Sequence, residues 1–246
     1  MEKWRTVLEE FLKEYKEKDD VIGAILCGSY ATGNNTDRSD IDVHIITKDI
    51  GYKQRGNVII DGIMIEYFMN PLSQSYKYLE NDFKQRRRLA DANMYGNGII
   101  LFDKTGELQK LKEDSLKYYE IEFDAPEEST MMINNYACWD LVDEIKDKID
   151  NNENYDLNYY MLLKELISNY YYKNGIATVP FTKIEKIYRN SEYREKYHLK
   201  NMPTQKFVEL VLNAIDNKSF DAISKLYDFV MENFQITDFV LRSEVK

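Results

Sequence analysis

Two aspartates separated by one residue, Asp40 and Asp42, stand where a polar stretch gives way to Val43-His44-Ile45-Ile46. On an extended strand such a pair shares a face, its members roughly 6.6 Å apart along the strand. Carboxylates so placed can hold one or two divalent cations against a polyphosphate, as two-metal phosphoryl transfer requires. Upstream lies Gly28-Ser29-Tyr30-Ala31-Thr32-Gly33, a glycine–serine turn followed by residues able to open a short helix. A turn that feeds a helix N-terminus presents free backbone N–H groups, and such groups bind phosphate. Ser39 stands immediately before the first aspartate, and a third acid, Glu66, interrupts the apolar run Ile63-Met64-Ile65-Glu66-Tyr67-Phe68. A carboxylate inside an apolar strand is costly unless it is paired or close to a metal. Surface acids beside a solvated turn would supply the same residue types, but not strand, turn and strand in the order this chemistry needs.

The elements that must position these groups can be read around them. Val21-Ile22-Gly23-Ala24-Ile25-Leu26-Cys27 reads as a buried strand leading into the turn, and Asp42 to Ile46 as a second strand. Asp61-Gly62 between Val58-Ile59-Ile60 and Ile63–Phe68 is a strong hairpin signal. Trp4, Val7, Leu8, Phe11, Leu12 and Tyr15 form one stripe of an amphipathic helix ending near Asp20. A second helix is expected from Ser73 to about Ala92, with Arg86-Arg87-Arg88 near its end serving the helix dipole or contacting phosphate. A strand over Gly98–Asp103 and a helix from Glu107 to about Tyr119 follow. His44 is expected to point away from the metal face in a structural role, and His198 has no identifiable partner.

At 246 residues the chain can bury a full core. Its net charge of -10 argues against general polynucleotide binding and suits a cationic small partner. Cys27 and Cys138 give neither a disulfide framework nor zinc spacing. The charged start and the lack of any apolar run near ~20 residues lead us to expect a cytoplasmic protein without a membrane span. Nine of the ten glycines lie at or before Gly106, so the composition shifts midway. We place the boundary near Asp124–Glu128, giving domains 1–125 and 126–246. Helices are expected near 130–150, 156–173, 181–189, 204–216 and 219–234. Ile133, Ala137, Leu141, Ile145 and Ile149 mark the first stripe; Phe220, Ile223, Tyr227, Val230 and Phe234 mark the last. Eleven of the twenty tyrosines lie here, most suited to core edges, and Trp139-Asp140 with Asp143-Glu144 forms an acidic–aromatic patch. The expected fold class is α+β: a mixed β-sheet flanked by helices, then an all-α helical bundle.

The stretch Gly28 to Val43 resembles the signature of the polymerase-beta-like nucleotidyltransferase superfamily, and the two-part organisation is similar to its antibiotic-modifying members. The resemblance implies that Gly28, Ser29 and Ser39 hold nucleotide phosphates while Asp40 and Asp42 carry Mg2+. It implies that Glu66 is the third carboxylate, a metal ligand and the general base on an acceptor hydroxyl. Thr178-Val179-Pro180-Phe181-Thr182-Lys183 is similar to a stretch that brings a lysine to the triphosphate, making Lys183 a nucleotide-binding candidate. The implied reaction moves AMP from ATP, or another nucleoside monophosphate from its triphosphate, onto a small acceptor of aminoglycoside or lincosamide type. Two alternatives stay open: an acceptor that is a protein or an RNA, and a non-catalytic nucleotide-binding module. The acidic charge counts against RNA, and the complete set Asp40, Asp42 and Glu66 counts against the module.

Overall fold

The computed structural model describes residues 2–196, 199, 201–232 and 234–240; His198 lies outside them. Helix α1 (Lys3–Glu17) buries Val7, Leu8, Phe11, Leu12 and Tyr15, the stripe its apolar spacing dictates. Strand β1 (Val21–Cys27) is buried along its whole length and runs into the short helix α2 (Gly28–Thr32). Next come β2 (Ile41–Thr47), β3 (Gln54–Ile60) and β4 (Ile63–Pro71). Asp61 and Gly62 join β3 to β4 with φ of 50° and 80°, as a primed two-residue turn demands.

Helices α3 (Leu72–Arg86) and α4 (Ala90–Gly96), strand β5 (Ile99–Asp103) and helix α5 (Glu107–Lys117) complete the first unit, Met1–Glu122, with which Glu192–His198 is grouped. The sheet order is β3-β4-β2-β1-β5, with β2 and β4 parallel and the other neighbours antiparallel. One face carries Ile41, Val43, Ile45 and Ile65 into a core with α1. The expected mixed sheet flanked by helices is what the chain builds.

The helix expected across Ser73–Ala92 is two helices. Arg87 takes the left-handed conformation (φ 48°) and ends α3. The buried Asp82 explains the break: its Oδ2 accepts from the N–H groups of Ala90 and Asp91, anchoring the start of α4. Its Oδ1 accepts from Arg88 at 2.5 Å. Arg88 thus neutralises a buried carboxylate inside the fold.

The second unit, Phe123–Ser191 with Leu199–Lys246, is helical. It contains α6 (Glu128–Asp150), α7 (Asp156–Lys173), a 3-10 turn (Phe181–Lys183), α8 (Ile184–Arg189), α10 (Gln205–Asn217) and α11 (Phe220–Met231), while α9 (Ser191–Lys196) spans the change of unit. On α6 the buried stripe is Cys138, Val142 and Ile145, whereas Ile133 and Ile149 are exposed. The expected stripe stepped by four residues, which drifts around a helix of 3.6 residues per turn and leaves the core at both ends. Helix α11 stops at Met231, short of Phe234, with Glu232 in the left-handed conformation. Tyr159, Tyr170 and Tyr171 are core residues with partnered tips: Tyr159 donates to the Ala214 carbonyl at 2.6 Å, and Tyr171 and Tyr188 share a bond of 2.8 Å. Tyr170 stacks on Phe207 at 3.7 Å between centroids. Among the described residues no helix is long and apolar enough to cross a membrane.

Candidate active site

Strand register brings the three acids together. Asp42 on β2 is paired directly with Glu66 on the parallel strand β4 and with Cys27 at the end of β1. Asp40 stands at the entrance to β2, and one carboxylate oxygen from each of Asp40, Asp42 and Glu66 lies within 4.8 Å of the others. All three are half-buried. Burial first, then the charges of Asp40 and Glu66, pushes the Asp42 carboxyl up to about 6. An all-oxygen cluster whose neighbouring charges disfavour an ionised Asp42 suits a hard divalent cation, which would relieve the repulsion and accept few protein ligands beside phosphate. The residues therefore fit Mg2+.

Gly28 closes the other side. It takes φ of 63°, and a methyl group built on it would meet Asp42 Oδ2 at 1.9 Å. Only glycine serves here, both for the backbone conformation and because the turn must touch the carboxylate. Ser29 follows in the first turn of α2, half-buried, and its hydroxyl makes no hydrogen bond among the described residues. Ser39 sits before Asp40, but its hydroxyl accepts from the Thr36 N–H at 2.9 Å and so shapes the loop that delivers the aspartates. Cys27 is fully buried, its thiol pushed well above the usual range by burial and then by Asp42, so it is no nucleophile.

Sequence reasoning missed one residue of the site. Arg55 on β3 donates to Glu66 Oε1 through Nε at 3.1 Å and through Nη2 at 2.6 Å. Lys183 lies in the 3-10 turn of the helical unit with its side chain exposed. Trp139 on α6 is half-buried beside Tyr136, and Asp140, Asp143 and Glu144 are exposed.

His44 corrects an expectation. It lies two residues beyond Asp42 and pairs with Phe68 as Asp42 pairs with Glu66, so it shares the face of the acids rather than opposing it. It is structural all the same: buried, stacked on Phe68 at 4.9 Å and edge-on to Tyr95 at 5.2 Å, with burial lowering its imidazole to about 4. A folded-state value below the ordinary 6.5 makes stability full above pH 6.5 and lost as pH falls toward 4, because the unfolded chain takes the proton first. We expect His44 to remove about 2 kcal/mol of stability between pH 7 and pH 5. Asp42, with its value raised, contributes in the opposite sense over about pH 4–6 and masks part of this loss. Urea unfolding at the two pH values should show His44→Gln losing about 2 kcal/mol less than wild type; equal losses would mean His44 does not stay neutral in the fold.

Comparison with known proteins bears on the same region. The nucleotidyltransferase domain model matches residues 8–150, from within α1 to the end of α6. The "Putative protein adenylyltransferase" of Methanocaldococcus jannaschii is 40% identical over 65 residues, which is 25% of this chain and 44% of that protein. The chain thus spans less than half the length of this curated relative. The crystal structure of a nucleotidyltransferase-like protein from Exiguobacterium sibiricum is 12% identical, with a TM-score of 0.45 over 93% of this chain and 74% of that one.

Proposed function

The chain belongs to the nucleotidyltransferase domain family, and from that premise we propose that it moves AMP from ATP onto a hydroxyl group of a small cationic acceptor. The observation that carries this reading is the convergence of Asp40, Asp42 and Glu66 within 4.8 Å, against a glycine turn that touches Asp42. Bound there, Mg2+ would supply charge neutralisation for the phosphates. Asp40 and Asp42 would hold the cation, while Gly28 leaves room for phosphate to approach Asp42 and Ser29 offers a free hydroxyl. Glu66 would orient the acceptor hydroxyl and take its proton as the oxygen attacks the α-phosphorus and pyrophosphate departs. Lys183 would add a phosphate ligand, and the helical domain, residues 126–246, would select the acceptor.

The cationic acceptor rests on the net charge of -10 and on the resemblance to aminoglycoside- and lincosamide-modifying enzymes. A second reading, a protein hydroxyl as acceptor, is favoured by the name of the Methanocaldococcus relative. That likeness covers 65 residues, too few to include both units, so it speaks for the adenylyl group more than for its destination. Incubation with Mg2+ and α-labelled ATP, over a panel of aminoglycosides and lincosamides and over a cell protein extract, separates the two. We expect pyrophosphate release and label on a small acceptor. Label on polypeptide selects the second reading, and silence with every acceptor removes the enzymatic one.

A further inference from the structure

Glu66 does not stand alone among the acids. Its side chain is 25% exposed, and the guanidinium that reaches it comes from β3 at the edge of the sheet, on a side chain 68% exposed. Both donors of Arg55 converge on one oxygen, Oε1. No described residue donates to Oε2. A long exposed arginine held by one ion pair would ordinarily wander, but here the guanidinium lies 4.8 Å over the ring of Phe68. Phe68 in turn stacks on the buried His44, and His44 abuts Tyr95. Arg55 is therefore the outermost layer of a column rooted in the core, and the column fixes where the guanidinium can be.

Building on the nucleotidyltransferase reading, we propose that Arg55 is the positioning residue of this site: it captures Glu66 by Oε1 and thereby turns Oε2 toward the metal and the acceptor hydroxyl. Paired guanidinium donors impose direction as well as charge, because their fork is planar and fixed. A lysine in the same place would bring the charge without the geometry. Partners that orient ligating carboxylates commonly govern metal affinity and activity by about 10–100-fold when removed. Arg55 acts through Glu66 and needs no contact with substrate.

The test uses the full-length protein and Mn2+ alone, without nucleotide, so that the readout does not depend on turnover. Mn2+ affinity is measured by calorimetry for wild type, Arg55→Gln, Arg55→Lys, Phe68→Leu and Asp42→Asn, alongside thermal melting. We expect Arg55→Gln to bind Mn2+ roughly tenfold more weakly at an unchanged melting temperature, with Arg55→Lys recovering only part of the loss. Phe68→Leu should weaken binding by a smaller factor, since it frees the guanidinium without removing it. Arg55→Gln binding as tightly as wild type, or more tightly, overturns the proposal, as does full recovery by Arg55→Lys, which would make charge alone sufficient. Failure of wild type to bind Mn2+ would take down the metal reading and this one together. Binding that Asp42→Asn abolishes and Arg55→Gln leaves intact would overturn this one only.

Discussion

Asp42→Asn should lose AMP transfer by roughly 10³-fold or more while the folded protein becomes more stable at neutral pH. The two effects have one cause. Asp42 is half-buried beside Asp40 and Glu66, and its carboxyl is raised from 3.8 to about 6. A group whose folded-state value is raised contributes stability that is complete below its unfolded value and disappears as pH climbs through the folded one. At pH 7.5 the metal-free wild type therefore carries an ionised Asp42 that its surroundings disfavour. Asparagine keeps the shape without the charge and should stabilise by about 1–2 kcal/mol, the full linkage value discounted for partial solvent access. In a chain of this length that raises the melting temperature by about 3–6 °C. Near pH 4 most of the gain should be gone, because the folded wild type is then protonated at Asp42 as well. Adding Mg2+ should reverse the order at pH 7.5, since only wild type gains from the cation. Melting curves at both pH values, with and without Mg2+, give all four corners. A destabilised Asp42→Asn at pH 7.5 without metal would mean that neither burial nor the neighbouring acids disfavour its charge, and near-normal turnover would remove Asp42 from the chemistry. Asp40→Asn should lose transfer comparably.

Much of this site was legible because strand geometry turns sequence spacing into position. Asp61-Gly62 dictates a two-residue turn, and that turn fixes the β3–β4 register completely: Ile60 opposes Ile63, Asn57 opposes Glu66, and Arg55 opposes Phe68. Arg55 is thus one diagonal step from Glu66 on the same face, within reach of a long side chain. The signal was present at the hairpin, and only the strand limits of β3, which begins at the polar Gln54, hid it. His44 was misplaced although its spacing from Asp42 is even, and even spacing on a strand means a shared face. What covers the face changes along the strand: Asp42 is half-open, and His44 lies beneath aromatic rings. The break between α3 and α4 was not readable, because it depends on a buried Asp82 gathering Arg88, Ala90 and Asp91. A helical pattern alone gives no warning that a carboxylate will turn inward and start the next helix. The helical half shows the same limit. A four-residue step in α6 looks like one stripe on paper, and packing against α7 selected a slightly different one, centred on Cys138, Val142 and Ile145.

Glu66→Gln makes the sharpest statement about how transfer happens, and Arg55 decides what the variant presents. An arginine only donates, so it should keep the glutamine carbonyl oxygen where Oε1 was and leave the amide NH2 where Oε2 was. A donor then faces the acceptor hydroxyl at the position where a proton acceptor is required. The shape of the site, the Arg55 contact and the pair Asp40 and Asp42 all survive. We therefore expect binding of Mg2+ with a non-hydrolysable ATP analogue to weaken by about tenfold, the factor that losing a well-aimed Oε2 costs, while transfer falls roughly 10²–10⁴-fold. Calorimetry supplies the first number and pyrophosphate release the second, each measured with a small hydroxyl acceptor and no protein or RNA present. Loss of both together would make Glu66 a metal ligand before anything else, with the hydroxyl losing its proton by another route. Transfer within a few-fold of wild type would leave Glu66 as the counter-ion of Arg55 and no more. Binding largely kept and transfer lost is the combination that gives Glu66 the proton, because glutamine in the same place keeps the shape of the site but cannot accept one.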